Sequence, residues 1–367
     1  MNERCFALLG RRDEPTDAVE EYCHFLAASL PAHGISLKIL RVAWAELGWR
    51  RALRELRNVA LENRGSWFLL QYTALAWSRR GFSWRVLSVL QTLKKAGARC
   101  AIVFHDAEMY FGSRPVDRIR RAVQLHTMQK AVRLADFAIF TAPPEKIPWA
   151  SHLRQKTVFL PVGANLPLPE KAWVKAPAES PHVPTVGVFS LSEGQVGAKE
   201  AEVIGETISF VADELGSLRL LILGRNSALA QKPVEEKLRG KPVELLIRGI
   251  LPAEEIVQLL GSCDAMLFVR GPVANRRGSA IAGVACGLPV IGREGWETAP
   301  PITEAGVVLV PGDATHEFAP ALLNVLTNPA YKASLAERSR AAQTKYFSWD
   351  AIAAGYAQAL RTYHSNR

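Results

Sequence analysis

The stretch RRGSAIAGVACGLPVIG, residues 276–292, contains one full period of the pattern that decides the fold. The small residues from Ser279 to Cys286 predict a short, closely packed helix, and Gly287 is placed to end it. The apolar run at residues 288–291 follows at once and predicts a buried strand. Helix, glycine and short apolar strand in direct succession indicate a parallel sheet flanked by helices, which is the α/β class.

The same alternation runs through the whole chain. A proline-rich segment at residues 166–184 interrupts it, and prolines at this density exclude a helix interior or a central strand. Because 367 residues exceed what one core usually supports, we expect two Rossmann-like domains with an interdomain cleft. They are residues 1–165 and 185–345, joined by a linker at 166–184, with a C-terminal helix in 346–367. Strands are predicted at residues 5–9, 37–42, 66–72, 100–105, 137–141, 157–160, 185–189, 218–223, 243–248, 265–269, 288–291 and 307–309.

The composition is that of an ordinary globular protein, with 49% hydrophobic and 22% charged residues. The longest apolar runs are strand-sized and too short to span a bilayer. Five scattered cysteines without metal-ligand spacing favour reduced thiols and a cytoplasmic location. No dinucleotide fingerprint, Walker loop, GxSxG or HExxH motif occurs, and no carboxylate pair is placed to hold a metal. We therefore expect neither a metal nor a resident cofactor.

The excess of positive over negative charge lies entirely in the first half of the chain. Residues 1–165 carry 25 Lys+Arg against 14 Asp+Glu, whereas residues 166–367 carry 20 against 21. Such a one-sided field favours an anionic partner: a membrane surface, an acidic or phosphorylated acceptor, or nucleic acid. The tryptophans form no stacking platform and no nucleic-acid module is recognisable, so we expect no nucleic-acid partner.

A basic amphipathic helix lies within residues 44–64. Apolar side chains share one face, and four arginines share the other. An ordinary surface helix with a solvated arginine face explains this pattern by itself. Together with the basic half of the chain, the segment from Trp49 to Arg57 leads to the hypothesis of contact with an anionic membrane surface.

Three motifs follow predicted strands, where ligands bind in open α/β sheets. Arg276, Arg277, Gly278 and Ser279 combine two guanidiniums, a close backbone approach and a helix start, which favours an anion site over a solvated arginine pair. After another strand, Arg225 lies in a glycine turn and can reach an anion.

The third motif is Phe104-His105-Asp106. The histidine there is either a structural residue at the strand end whose hydrogen bonds are made within the protein, or a functional one. In the functional case it contacts an acceptor hydroxyl or helps transfer its proton, and Asp106 orients the imidazole.

In their order, several segments resemble the GT-B glycosyltransferases, and more narrowly family 4 of the retaining, nucleotide-sugar-dependent enzymes. The resemblance covers nearly the whole chain. It implies an N-terminal acceptor domain, a C-terminal nucleotide-sugar domain and a C-terminal helix that crosses back to the first domain. It rests on Phe104-His105-Asp106, residues 160–165, residues 221–224, residues 249–256, residues 285–290 and Phe347-Ser348-Trp349-Asp350.

The implied activity is a hexosyltransferase-like transfer of a sugar, with retention, from a nucleotide-sugar to a glycan or lipid-linked saccharide in polysaccharide biosynthesis. The enzyme would then work in the cytoplasm or as a peripheral protein on the inner face of the cytoplasmic membrane.

The sequence departs from the family pattern at three places. The family's paired glutamates, which contact the donor ribose and the transferred sugar, fall on Ala274 and Ala282. Residues 11–17 replace the glycine-rich loop after the first strand. Lys199 matches the family's diphosphate-binding lysine, but residues 190–198 contain no arginine.

The hypothesis that follows is a substitute diphosphate clamp made of Arg276 and Arg277 with Arg225 and Lys199. Glu297 is then expected to take over a ribose or sugar contact. The alternatives are a degenerate GT-B protein that binds nucleotide-sugar or a partner without turnover, a GT-B sugar-nucleotide epimerase, and a nucleic-acid-binding protein.

Overall fold

A computed structural model describes residues 3–168 and 182–365 of the chain. The chain divides into two compact units. Unit 1 comprises Met1–Val162 with Trp349–Arg367, and unit 2 comprises Gly163–Ser348. Of the expected linker, residues 169–181 lie outside the described residues.

Unit 1 is a parallel sheet of six strands in the order β2-β1-β3-β4-β5-β6, with helices between successive strands. Its six predicted strands are all present. The sheet is buried on both faces, and every residue of its third strand lies in the core, as expected for a sheet covered by helices. The elements are β1 Glu3–Leu9, α1 Ala18–Ser29, β2 Ile35–Arg41, α2 Trp44–Leu47, α3 Trp49–Glu62, β3 Trp67–Tyr72, α4 Val86–Lys95, β4 Arg99–Phe104, α5 Pro115–Leu134, β5 Phe137–Phe140 and β6 Thr157–Phe159.

Unit 2 is a second parallel sheet of six strands, in the order β12-β11-β10-β7-β8-β9. Read from the opposite edge, this is the 3-2-1-4-5-6 arrangement of a Rossmann domain. The elements are β7 Thr185–Phe189, α6 Gly194–Leu215, β8 Leu218–Leu223, α7 Gln231–Leu238, β9 Val243–Ile247, α8 Ala253–Gly261, β10 Ala265–Pro272, α9 Gly278–Ala285, β11 Val290–Arg293, β12 Val307–Val310, α10 Phe318–Thr327 and α11 Pro329–Ala342.

The last helix, α12 Trp349–Ser365, belongs to unit 1. The Trp349 ring stacks on Phe25 with the ring centroids 5.3 Å apart. Farther along the helix, the buried hydroxyl of Tyr356 accepts a hydrogen bond of 3.0 Å from Tyr22 of α1. These aromatic contacts anchor the C-terminal segment on the first helix of unit 1.

Helix α3 has the two faces that the sequence indicates. Ala52, Leu56 and Ala60 are buried against the core, whereas the arginines at positions 50, 51, 54 and 57 are exposed. Trp49 stacks on Trp44 at 5.0 Å and closes the start of the helix. No helix within residues 3–168 and 182–365 is both long enough and apolar enough to cross a membrane.

Candidate functional site

The carboxyl edge of the unit 2 sheet contains the point where the strand order reverses. From β7 the chain passes through α6 to β8 and β9 on one side, and then crosses to β10 on the other side of β7. Ligands of open α/β sheets bind outside the carboxyl ends of the strands at such a switch point. The segments that follow β7, β8 and β10 therefore form the candidate site of unit 2.

The conformation of the loop after β7 is fixed by several hydrogen bonds. Ser190 has φ 64°, a left-handed conformation that residues with side chains rarely adopt, and its N–H donates to the Leu223 carbonyl at 2.8 Å. Buried Glu200 of α6 accepts hydrogen bonds of 2.7 Å from both the N–H and the Oγ of Ser192. Gly224 is required beside the loop, because a Cβ there would lie 2.7 Å from Ser190 Oγ. Strained backbone fixed by its surroundings is typical of ligand sites.

Two arginines lie at this edge. Arg225 follows β8, and its carbonyl accepts the Leu191 N–H at 2.9 Å. Arg270 lies in β10 directly after the apolar part of that strand and is half-buried. Burial lowers the pKa of the Arg270 guanidinium, Glu200 raises it, Arg225 lowers it and Glu193 raises it. Arginine remains charged in proteins, so these neighbouring guanidiniums repel each other and attract an oxyanion.

Sequence reasoning misses Arg270. The available signal is the strand AMLFVRGP, in which the uninterrupted apolar run at 265–269 ends in an arginine. A charged residue at the carboxyl end of a buried parallel strand points to the ligand edge of the sheet.

The predicted arginine pair is bound to a carboxylate. Arg276 donates from Nε to Glu297 Oε2 at 2.5 Å and from Nη2 to Oε1 at 3.1 Å, and Arg277 donates from Nη2 to Oε1 at 3.3 Å. Glu297 is only 1% exposed. Its carboxylate therefore holds the two guanidiniums and is not open to a ribose or a sugar, which differs from the role expected for it.

The start of α9 continues the same edge. Gly278 and Ser279 are its first residues, and its N-cap Arg277 makes no side-chain capping bond. The first N–H groups of a helix lack intrahelical partners and lie at the positive end of the helix dipole. Arg277 reaches back to β10, since a Cβ built on Gly271 would lie 3.6 Å from its Nη2. The Arg277 guanidinium thus lies beside the residue that follows Arg270.

Three further predicted positions differ in exposure. Lys199 is exposed on α6, in the second turn of the helix. Ala274 and Ala282, which stand where the resemblance expects glutamates, are 0% and 1% exposed. At the positions that the sequence aligns with the family pair, unit 2 therefore carries small apolar side chains in closed surroundings.

In unit 1, His105 lies directly after β4 and is fixed by an amide. Gln71 donates from Nε2 to the Leu69 carbonyl at 3.1 Å, so its Oε1 faces His105 Nε2 at 2.8 Å. An amide oxygen only accepts, which assigns the imidazole proton to Nε2 and leaves a lone pair on Nδ1. Burial lowers the pKa of His105 to about 4. The ring is neutral at pH 7, so it accepts a hydrogen bond at Nδ1 and is not an acid.

Gln71 takes the orienting role that was expected of Asp106. Asp106 instead accepts the Glu108 N–H at 3.1 Å and shapes the turn after β4. Tyr22 packs edge-on against the imidazole at 4.9 Å. The sequence signal for Gln71 is a polar residue in the otherwise apolar strand WFLLQY, where it is 1% exposed.

A cavity of about 830 Å³ opens at the carboxyl edge of the unit 1 sheet. The chain leaves β1 for β2 on one side and returns to β3 on the other, so the cavity lies at the switch point of this sheet. Its lining combines Gln71 and Asp106 with several arginines, which are Arg11, Arg12, Arg79, Arg80 and Arg120.

Solved structures share this fold over the full length of the chain. Sucrose-phosphate synthase from Thermosynechococcus elongatus has a TM-score of 0.68 and 18% identity, covering 100% of both chains. HepE from Anabaena in complex with UDP and glucose has a TM-score of 0.63 and 15% identity over 98% of this chain and 100% of that chain. The UDP-GlcNAc 2-epimerase from Neisseria meningitidis bound to UDP-GlcNAc has a TM-score of 0.57 and 12% identity, covering 98% of this chain and 100% of that one.

No protein-family model matches the chain, and no curated protein matches it in sequence. At these identities the structural likeness establishes the fold. The chain has the GT-B fold of two Rossmann-like domains, as the sequence resemblance predicts.

Proposed function

We propose that this chain is a glycosyltransferase that moves a sugar from a nucleotide-sugar donor to a saccharide acceptor. The observation that carries the proposal is the arginine edge of unit 2 at the switch point. There Arg225 and Arg270 lie beside the strained loop after β7 and the start of α6, whose N-cap residue Glu193 makes no side-chain capping bond. Nucleotide diphosphates are the usual ligands of this position in Rossmann domains. The UDP and UDP-sugar bound to the similar structures HepE and the epimerase support a donor of the same class.

In this proposal unit 2 holds the donor diphosphate. Arg225 and Arg270 face the phosphate oxygens, and Lys199, Arg277 and the N–H groups of Gly278 and Ser279 extend the positive surface. Charge develops on the diphosphate as the glycosidic bond breaks, so guanidiniums fixed in advance lower the barrier. Arg276 has a supporting role, because two of its N–H groups are already engaged by Glu297.

Unit 1 then binds the acceptor, a glycan or a lipid-linked saccharide, and His105 contacts it. The lone pair on His105 Nδ1 accepts a hydrogen bond from the acceptor hydroxyl and orients it for attack. Because the low pKa makes the imidazole a weak base, its contribution is orientation more than proton removal. We propose retention at the anomeric carbon, which NMR of the first-formed product anomer tests; an inverted product would contradict it.

The donor site is tested by a thermal-shift screen of the full chain against UDP-, GDP-, ADP- and dTDP-sugars, since a ligand that binds the folded state raises its stability. For the donor that binds, Arg270→Ala and Arg225→Ala should each weaken affinity about tenfold or more, as loss of a charge-assisted phosphate contact does. Arg219→Ala is the matched control, because Arg219 lies near the amino end of β8 and pairs with Glu244 at 2.7 Å. Equal affinity in all variants would contradict the assignment.

A degenerate binding protein is the second candidate, and the buried Ala274 and Ala282 favour it. The products formed from the donor distinguish a transferase, an epimerase and a degenerate binding protein. A transferase releases nucleoside diphosphate only when an acceptor is present or water replaces it, whereas an epimerase converts the donor sugar without an acceptor. Donor binding with neither product would support the degenerate protein.

Peripheral membrane association is a further part of the proposal. The exposed Arg50, Arg51, Arg54 and Arg57 of α3 face the same side of the helix, as in helices that lie on anionic lipid. Co-sedimentation with vesicles containing acidic phospholipid should exceed that with neutral vesicles and fall with salt. Arg50→Glu with Arg54→Glu should abolish the difference, and equal binding to neutral vesicles would contradict the idea.

A further inference from the structure

Residues 10–13 lie at the start of the segment that replaces the glycine-rich loop, and they are fixed against the segment after β3. The Arg11 N–H donates to the Ala76 carbonyl at 2.7 Å. A Cβ at Gly10 would lie 2.2 Å from the same carbonyl oxygen, so only glycine allows this approach. The backbone thereby directs Arg11 into the wall of the 830 Å³ cavity.

Arg11 carries an unsatisfied donor. Its Nε is shielded from solvent and has no hydrogen-bond partner among the residues that the structure describes. A buried guanidinium N–H without an acceptor lowers stability. An oxyanion in the cavity would supply the missing acceptor, and a planar guanidinium fits carboxylate or phosphate oxygens well.

The other cavity arginines divide into two groups. Arg12 pairs with Glu20 at 3.4 Å, and Arg120 is held by Asp117 at 2.5 Å and by the Arg80 carbonyl at 2.8 Å. Arg79 and Arg80 are exposed, and Arg79 donates only to a neutral backbone carbonyl, that of Ala45, at 3.2 Å. Arg11, Arg79 and Arg80 are therefore the cations that remain for a ligand.

The rest of the lining suits a sugar. Asp13, Asp106 and Glu108 add carboxylates, which accept hydrogen bonds from hydroxyl groups. The rings of Tyr110 and Phe111 are 51% and 71% exposed. A guanidinium lies over one face of each, Arg120 at 4.6 Å and Arg121 at 4.8 Å, which leaves the opposite faces for a sugar ring. A simple anion does not need carboxylates or aromatic rings, and a neutral sugar does not need three arginines for which no carboxylate partner is found among the described residues.

We propose that this cavity binds an anionic sugar, with its phosphate or carboxylate group on Arg11, Arg79 and Arg80 and its hydroxyls on the carboxylates. The proposal rests on the proposed function, since it makes an acidic saccharide the acceptor of the transfer. It assigns the acceptor specificity to residues 11–13 after β1 and to residues 79–80 after β3.

The test uses calorimetric titration of the full chain with glucose, glucose 1-phosphate and glucuronate, and with UDP as the donor-side probe. Glucose 1-phosphate or glucuronate should bind about tenfold or more tightly than glucose, and the stronger of the two identifies the anion. Arg11→Ala and Arg79→Ala should each remove most of that preference and leave UDP affinity unchanged. Arg133→Ala is the control, because Arg133 is exposed in the last turn of α5, which leads into the amino end of β5.

Equal binding of glucose and its charged relatives by the wild-type chain would overturn the proposal. Loss of UDP affinity in Arg11→Ala would overturn it as well, because the oxyanion would then belong to the donor. If the wild-type chain binds neither UDP nor any donor of the thermal-shift screen, the donor assignment alone is refuted, and a preference for anionic sugars that depends on Arg11 would still support this cavity.

Discussion

Replacing Glu297 by glutamine tests whether the most buried carboxylate of unit 2 is the counter-ion of the arginine pair or a group that contacts the ligand. The Glu297 oxygens accept three hydrogen bonds from Arg276 and Arg277, at 2.5, 3.1 and 3.3 Å. Glutamine keeps the shape and one acceptor oxygen but turns an amide N–H₂ toward guanidinium donors. The variant therefore removes the carboxylate charge that both arginines contact.

The expected loss of stability follows from the burial of the pair. Removing one partner of a buried ion pair costs about 3–5 kcal/mol. The side chains of Arg276 and Arg277 are 12% and 30% exposed, so water reaches the guanidiniums and the lower limit, about 3 kcal/mol, applies. For a domain of this size each kcal/mol moves the melting temperature by about 2–4 °C, so unit 2 should melt about 6–12 °C lower.

The affinity for UDP should change in the opposite direction to the stability. Freed from Glu297, the arginines add positive charge to the edge that carries Arg270, so UDP should bind several-fold more tightly to Glu297→Gln. Glu294→Gln, an exposed carboxylate three residues earlier in the same loop, is the charge-matched control and should change neither quantity. Unchanged melting with weaker UDP binding would refute the reasoning, because Glu297 would then contact the ligand.

Three further predictions follow from other contacts. Burial lowers the folded-state pKa of His105 to about 4, so as the pH falls the unfolded chain is protonated at this histidine before the folded chain. The free energy of unfolding should therefore fall as pH drops from about 6.5 to 4. Urea unfolding of His105→Gln should show a smaller fall, and a profile identical to that of the wild-type chain would contradict the lowered pKa. Gly224→Ala meets φ 84° and a Cβ contact of 2.7 Å with the Ser190 loop, so it should lower the melting temperature and donor affinity, whereas Gly249→Ala, with no atom within 4 Å, should change neither. Tyr356→Phe removes the acceptor of a buried hydroxyl and should cost about 1 kcal/mol in denaturant unfolding; no change would mean that water replaces the bond.

The strands were predictable because their signal is local. Apolar runs such as those of β3 and β8 lie between residues that favour turns, and no tertiary information is needed to place them. The strand ends were less accurate. β1 and β2 both start two residues before the predicted position because they pair in parallel register from Glu3 opposite Ile35. Backbone pairing decides where a strand begins, and the half-buried Glu3 gives no sign of it in the sequence.

The partners of the site residues were not predictable, because they lie far away along the chain. His105 is oriented by Gln71, which is 34 residues earlier, whereas the neighbouring Asp106 seemed the natural partner. Glu297 is 20 and 21 residues from the arginines that it binds. The sequence shows which side chains are charged. It does not show that the loop after β11 places the Glu297 carboxylate against two guanidiniums.

These partners change what the missing glutamates mean for the chemistry of unit 2. With Ala274 and Ala282 closed into the core, ligand selection at this edge depends on cations and backbone N–H groups, since the nearby Glu200 and Glu297 already accept hydrogen bonds from Ser192 and the arginine pair. Such a surface recognises the phosphate groups of a donor strongly and its ribose and sugar hydroxyls weakly. We therefore expect the chain to discriminate poorly among nucleotide-sugars that share a diphosphate. The greater selectivity should belong to the cavity of unit 1, whose lining includes the carboxylates of Asp106 and Glu108.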